Sequence, residues 1–321
     1  MNLLITGANG FIGRALTARL LSPSARPTAL GTIGRITLVD LHFEGPEIPM
    51  LRRLPGSISD KALLARAFDT PIDVVFHLAS VPGGMAEQHY ELGRDVNLGA
   101  TLELLEKARD QAAASGRPPI FVFASSIAAL GSPLPAHVDD TTPLRPQLTY
   151  GAHKLIGEIL ATDFDRRGWV NARSVRLPGI VARPPQRTGQ LSAFMSDIIR
   201  DLAAGRDFAC PVSAASTTWL MSVHCVIDNL LHAATMPDAA RGNTRVWTLP
   251  ALRSSMTELV EAIAAVHGPE VLSRVSYGSN PALEANFGRH PPLATPAADA
   301  AGFRHDGDLQ TLVRRALEPI R

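Results

Sequence analysis

Apolar positions in the first half of the chain come in short bursts separated by longer mixed stretches. Leu3 to Ile5, Ile36 to Val39, Val74 to Leu78, Ile120 to Ala124 and Ala172 to Leu177 are nearly continuous apolar runs, mostly rich in β-branched or aromatic residues. That is the pattern of strands covered on both faces. Between them, residues 11–22, 60–68, 97–114 and 149–166 repeat apolar side chains at spacings of three and four, which predicts helices. The alternation predicts an α/β fold with a doubly wound, Rossmann-type parallel sheet.

After Leu177 the alternation stops. PGIVARPPQRTGQ, rich in Pro, Gly and Arg, predicts a loop lining a cleft, and a helix is predicted from Leu191 to Ala204. TTWLMSVHCVIDNLLHAATM and TRVWTLP predict a strand, a helix and a strand able to return to the large sheet. From about 251 the patterns are mixed, with a proline-rich interval, HPPLATPAADAAGF, before a closing helix near 308–317. The predicted layout is a nucleotide-binding domain over 1–176 with a return segment at about 214–250. A smaller, interleaved substrate lobe is built from 177–213 and 251–321.

With 321 residues, 45% of them hydrophobic, the chain is long enough for a substantial core. A net charge of +1 without a polybasic block argues against nucleic-acid or membrane partners. No leader and no run approaching ~18 apolar residues is present, so the protein is expected to be soluble and cytoplasmic. The two cysteines, Cys210 and Cys225, suit buried positions rather than a disulfide framework, and no metal is expected.

The first strand leads into TGANGFIG, where Gly7, Gly10 and Gly13 sit between a strand and a helix. Gly7 permits the turn, Gly10 lets the backbone approach a pyrophosphate, and Gly13 lets the helix pack on the sheet; the helix N-terminus favours the phosphate charge. The second strand ends at Asp40, a carboxylate suited to the ribose hydroxyls of NAD and repellent to a 2′-phosphate. It lies 27 residues beyond Gly13, farther than the usual ~20, with SPSARPTALGTIG as the evident insertion.

TYGAHK places Tyr150 and Lys154 one helical turn apart. With only three tyrosines and three lysines in the chain, this spacing arises by chance about 0.03 times. A phenol titrating near ~10 must fall by ~3 to act as a base near neutrality. An ammonium and an oxidised nicotinamide at ~5 Å supply about 3 kcal/mol each at an effective dielectric of ~20. Upstream, IFVFASSIAALG puts Ser125 and Ser126 at the C-terminal end of strand four, where Ser126 can hydrogen-bond a reacting oxygen. No G-x-S-x-G elbow surrounds it, so it is not read as a hydrolase nucleophile. His77, at the end of an apolar strand, is read as a packed histidine.

TGANGFIG, VVFHLAS, DVNLGATLELLEKA, FASSIAALG, YGAHKLIGE and RLPGIVARP occur in one order, and the sequence resembles the extended, epimerase/dehydratase-like branch of the short-chain dehydrogenase/reductases. The resemblance implies Ser126, Tyr150 and Lys154 as a catalytic triad. It also implies Phe11 and Ile12 at the pyrophosphate, Ser57 and Ile58 at the adenine, Leu78, Ala79 and Ser80 along the cofactor, Pro178 at the nicotinamide wall and Asn97 positioning a helix. A homodimer through helices 97–114 and 149–166 is implied as well.

Departures from the family pattern narrow the expectation. Ile127 and Ala128 replace the acidic pair of the dehydratases, and Thr217, Thr218 and Trp219 stand where nucleotide-sugar epimerases carry an Arg before an aromatic residue. Arg183 or Arg187 can grip a small carboxylate in bidentate fashion. The sequence thus resembles the sugar-acid dehydrogenases of the branch, implying NAD-dependent oxidation at C2 of a four-carbon aldonate, with Ser126, Tyr150 and Arg183 at the substrate. A nucleotide-sugar epimerase and a non-catalytic NAD(H)-sensing module are the alternatives.

Overall fold

The computed structural model describes residues 1–22, 28–185 and 192–320. Its strands are β1 (Asn2–Thr6), β2 (Arg35–Asp40), β3 (Leu51–Pro55), β4 (Val74–His77), β5 (Ile120–Ser126), β6 (Asn171–Leu177), β7 (Gly179–Val181), β8 (Phe208–Cys210), β9 (Thr217–Ser222), β10 (Val246–Thr248), β11 (Leu252–Ser255) and β12 (Val275–Tyr277). Seven form one sheet in the order β10-β6-β5-β4-β1-β2-β3. Every pairing in it is parallel.

The main helices of the first 235 residues are α1 (Phe11–Leu21), α2 (Lys61–Ala67), α3 (Gly83–Gln88), α4 (Tyr90–Gly93), α5 (Ala100–Ser115), α6 (Thr149–Arg166), α7 (Phe194–Ala203) and α8 (Val223–Thr235). Alternate strand residues face opposite layers. Leu3, Ile5 and Val122 join Leu16, Leu20 and Leu230 on the α1/α8 side, while Leu4, Phe121 and Phe123 join Leu104, Leu105 and Ala161 on the α5/α6 side. Covering both faces is what makes the strand sequences continuously apolar. The chain reverses direction across the sheet between β1 and β4, and ligands of such sheets bind outside the strand C-termini at this switch.

Three features differ from the sequence expectation. β3, reading LRRLP, pairs only with β2, and its arginines suit an edge strand, which needs charge rather than apolar continuity. Within the predicted loop PGIVARPPQRTGQ, Gly179–Val181 forms a strand. Of the two strands expected to return to the large sheet, β10 does so, whereas β9 forms a separate sheet with β7 and β11. The helix predicted from Leu191 is described from Phe194. A third core, including Val181, Ile198, Leu220, Leu259 and Val313, lies under these elements. Cys210 and Cys225 are both buried, and burial pushes the Cys225 thiol up to about 12. No helix among the described residues is long and apolar enough to cross a membrane.

The contact of α6 with β5 and the turn that follows it is unusually close. A Cβ added at Gly151 would lie 2.3 Å from the Ala128 carbonyl oxygen, and one at Gly157 2.6 Å from the Phe123 ring. Backbone cannot yield as a flexible side chain does. Gly151→Ala is therefore expected to cost about 1–3 kcal/mol through overpacking, read as a lowered Tm, and to reduce turnover by moving the neighbouring Tyr150.

Candidate active site

Gly7, Gly10, Phe11, Ile12, Gly13, Leu78, Ser80, Ser126, Tyr150, Lys154, Pro178 and Arg183 line one cleft of about 790 Å³ at the C-terminal edge of the sheet. Asp40, Ser57, Ile58 and Ala79 are not among its walls. Arg187 lies outside the described residues.

The glycine turn has the shape expected for a pyrophosphate cradle. Gly7 has φ +69°, and a Cβ there would meet the Ala79 nitrogen at 2.7 Å; a Cβ at Gly13 would meet the Gly7 oxygen at 2.2 Å. At Gly10 the sole close atom would be the Gly7 oxygen at 3.2 Å, which leaves that side of the backbone open to a ligand. No side chain caps the N-terminus of α1, so the turn offers backbone N–H groups and the positive end of an eleven-residue helix. Asp40 closes the turn from the next strand, accepting from the Asn9 N–H at 2.8 Å and the Leu41 N–H at 2.7 Å. Its half-buried carboxylate sits at the end of β2, beside the turn. The residues present fit NAD.

Ser57 and Ile58 follow β3 at the same edge. The Ser57 hydroxyl pairs with Ser59 at 2.6 Å. The Ile58 side chain is buried in the core with Val39, Leu54 and Leu63. Ala79 packs behind Gly7, its N–H donating to Thr6 at 3.3 Å. Asn97 exchanges two hydrogen bonds with the Val81 backbone, at 2.7 and 3.0 Å, and so fixes the chain just before Pro82 and Gly83, which line the cleft. His77 is a packed histidine between the Thr6 and Thr101 hydroxyls, and burial lowers it to about 3.

In the cleft, Tyr150 lies beside Ser126 and Ser80, and Arg183 lines the same space. Burial raises the phenol above its ordinary value, while Ser126, Ser80 and Arg183 pull it down. The depressed tyrosine expected from the sequence is thus not a property of the protein by itself, since desolvation of the phenolate comes first. Lys154 is buried and donates to the Ala124 carbonyl at 2.8 Å, 5.6 Å from the centre of the Tyr150 ring. Burial brings its ammonium down to about 7, with Glu158 opposing. Ser126 accepts from the Ala128 N–H at 3.1 Å, which leaves its hydroxyl hydrogen for another partner.

The sequence reading missed the far wall of the cleft. Met195 on α7, and Asn286, Phe287, Arg289 and His290 from the C-terminal part of the chain, face the substrate end. Trp219 is fully buried there, donating from Nε1 to the Pro291 carbonyl at 2.8 Å, with His290 edge-on at 4.6 Å between ring centres. Burial lowers His290 to about 4, so it is neutral. Asn286, Phe287, Arg289 and His290 lie more than a hundred positions from the Tyr/Lys pair, and neither they nor Met195 carry a local motif. Glu158 was also missed, although its spacing of four from Lys154 is a visible signal.

The model of the NAD dependent epimerase/dehydratase family matches residues 3–245. A D-erythronate dehydrogenase from Cupriavidus necator is 37% identical across 99% of this chain and 98% of its own length. One from Haemophilus influenzae is 29% identical across 99% of each. Among solved structures, a nucleoside-diphosphate-sugar epimerase from Agrobacterium tumefaciens superposes with a TM-score of 0.88 at 28% identity, covering 98% of this chain and 92% of that one. A GalE-like L-threonine dehydrogenase from Cupriavidus necator, in its holo form, gives 0.83 at 22% identity with 99% of each covered. With its glycine turn and its Tyr150/Lys154 pair at the mouth of a parallel sheet, the chain belongs to the NAD-dependent epimerase/dehydratase family of extended short-chain dehydrogenase/reductases, as an NAD-dependent oxidoreductase.

Proposed function

We propose that this protein oxidises the C2 hydroxyl of a small sugar acid, a four-carbon aldonate such as D-erythronate, to the 2-keto acid. The observation that carries the reading is that Arg183 lines the same cleft as Tyr150, near enough for its charge to pull the phenol down, because it sets a carboxylate partner in the same space as the proton acceptor. The names of the two curated relatives support the same substrate class. When bound, NAD supplies the hydride acceptor and a positive ring charge. Gly7, Gly10 and the N–H groups that follow hold its pyrophosphate, and Asp40 holds a ribose. Tyr150, as phenolate, takes the C2 hydroxyl proton while the C2 hydride leaves, so the carbon loses two electrons and the oxygen becomes a carbonyl. Ser126 donates to that oxygen, Lys154 sustains the phenolate, and Arg183 fixes the carboxylate.

A nucleotide-sugar reading is weaker here, since the β9 position at which such epimerases grip a diphosphate holds buried Thr218 and Trp219. The deciding measurement is NADH formation at 340 nm over a panel of C3 to C6 aldonates and UDP- or GDP-sugars. Turnover of a four-carbon acid, lost in Tyr150→Phe, is expected. NAD binding with silence across the acids sinks the reading.

The pH profile offers a second check. The base acts deprotonated and burial raises it, so kcat/KM for oxidation is expected to climb with pH. Arg183→Met removes a charge that lowers the phenol, so the climb moves to higher pH; loss of a charge-assisted carboxylate pair also raises KM by roughly 10- to 100-fold.

We also propose a homodimer. Tyr90, Leu92, Leu102, Ile156 and Ile159, on or beside α4, α5 and α6, are large apolar side chains left exposed, Ile159 by 60%. A second copy covering α5 and α6 removes them from water. Light scattering is expected to give a dimer at micromolar concentration and a monomer for Ile159→Glu.

A further inference from the structure

Glu158 is 2% exposed and sits one turn beyond Lys154 on α6. Its carboxylate accepts the Ser125 hydroxyl at 2.5 Å and a bidentate pair from Arg176, Nε at 2.9 Å and Nη2 at 2.7 Å. Those partners lie on two different strands. Ser125 precedes Ser126 on β5, and Arg176 precedes Leu177 and Pro178, which line the cleft at the end of β6. Lys154 makes the parallel link one residue earlier on β5, to the Ala124 carbonyl. The last three residues of β5 therefore carry a lysine bond, a glutamate bond and the serine beside Tyr150.

We propose that Glu158 is a positioning residue for the oxidation: clamped by Ser125 and Arg176, it fixes the Tyr150/Lys154 helix against the ends of β5 and β6 and holds a carboxylate one helical turn from the Lys154 amine. The lysine needs such a partner. Burial drives it towards the neutral amine, and among its neighbours Glu158 is the group that opposes this. From β4, His77 faces it, but burial holds that imidazole uncharged at ordinary pH. Tyr150 shares α6, Arg183 lines the same cleft as the phenol, and Arg176 from β6 offsets part of the Glu158 charge. An unpaired glutamate in this place would be costly, and the bidentate arginine with a hydroxyl donor satisfies it.

The inference rests on the dehydrogenase reading, yet its test does not need the substrate. The chain has three lysines, 61, 107 and 154, so protein grown with lysine labelled with ¹³C at Cε gives three resonances, and the one absent from Lys154→Arg is assigned to Lys154. Its titration midpoint in the wild-type protein is expected near 7. Glu158→Gln removes the negative charge and leaves Arg176, so the midpoint falls. Arg176→Gln removes the offsetting cation, so the midpoint rises. Once a substrate is turned over, Glu158→Gln also moves the climb of kcat/KM to higher pH, whereas Ser125→Ala, which leaves the charge in place, lowers kcat without moving it. An unchanged Lys154 midpoint in folded Glu158→Gln overturns the proposal. Should that variant not fold, a midpoint that stays or falls in Arg176→Gln overturns it. Failure of the aldonate panel alone bears on the substrate and leaves the lysine titration decisive.

Discussion

Helix α6 lies so close on β5 and the turn that follows it that two of its positions have room only for glycine. Gly151 abuts the Ala128 backbone and Gly157 the Phe123 ring. That closeness brings the Lys154 amine onto the Ala124 carbonyl and Tyr150 beside Ser126. A helix one side chain farther from the sheet would leave the lysine without its carbonyl and the phenol without its serine. The reacting groups are held by rigid elements, and their spacing follows from packing rather than from loop conformation.

Putting three ionisable or polar groups under that helix has a physical cost. Lys154, Glu158 and Arg176 are all largely withdrawn from water, where Glu158 pairs with Arg176 and Ser125 and Lys154 with the Ala124 carbonyl. The consequence is a lysine near neutrality in its titration and a tyrosine raised by burial. Both groups respond strongly to a charge arriving nearby, because little solvent screens it. The cofactor-side elements obey the same economy of space. The turn at Gly7 and Gly13 excludes side chains so that strand, turn and helix pack closely, and Asp40 is fixed by two N–H donors.

The substrate end is built differently. Arg183 comes from the segment after β7, Met195 from α7, Trp219 from β9 and His290 from far down the chain, with Met195 packed into the third core and Trp219 against Leu130 and Val138. Trp219 is fully buried at this wall, its indole tied to the Pro291 carbonyl. Volume and charge at this wall are therefore set by long-range packing, which suits a fold that keeps its chemistry fixed and varies its substrate.

The parallel sheet, the glycine turn, the carboxylate that ends the second strand and the Tyr150/Lys154 pair were legible in the chain by itself. Each depends on local rules: strands covered on both faces must be apolar throughout, a strand-to-helix turn that meets phosphate must be glycine, and two groups acting together from one helix must be four apart. Tertiary structure decided the rest. The edge strand β3 carries arginines because only one neighbour pairs with it, β9 leaves the large sheet for β7 and β11, and Ile58 turns into the core. Only folding sets Glu158 between Ser125 and Arg176, and His290 against Trp219, because those contacts join residues 18 to 71 positions apart through surfaces that no local spacing encodes.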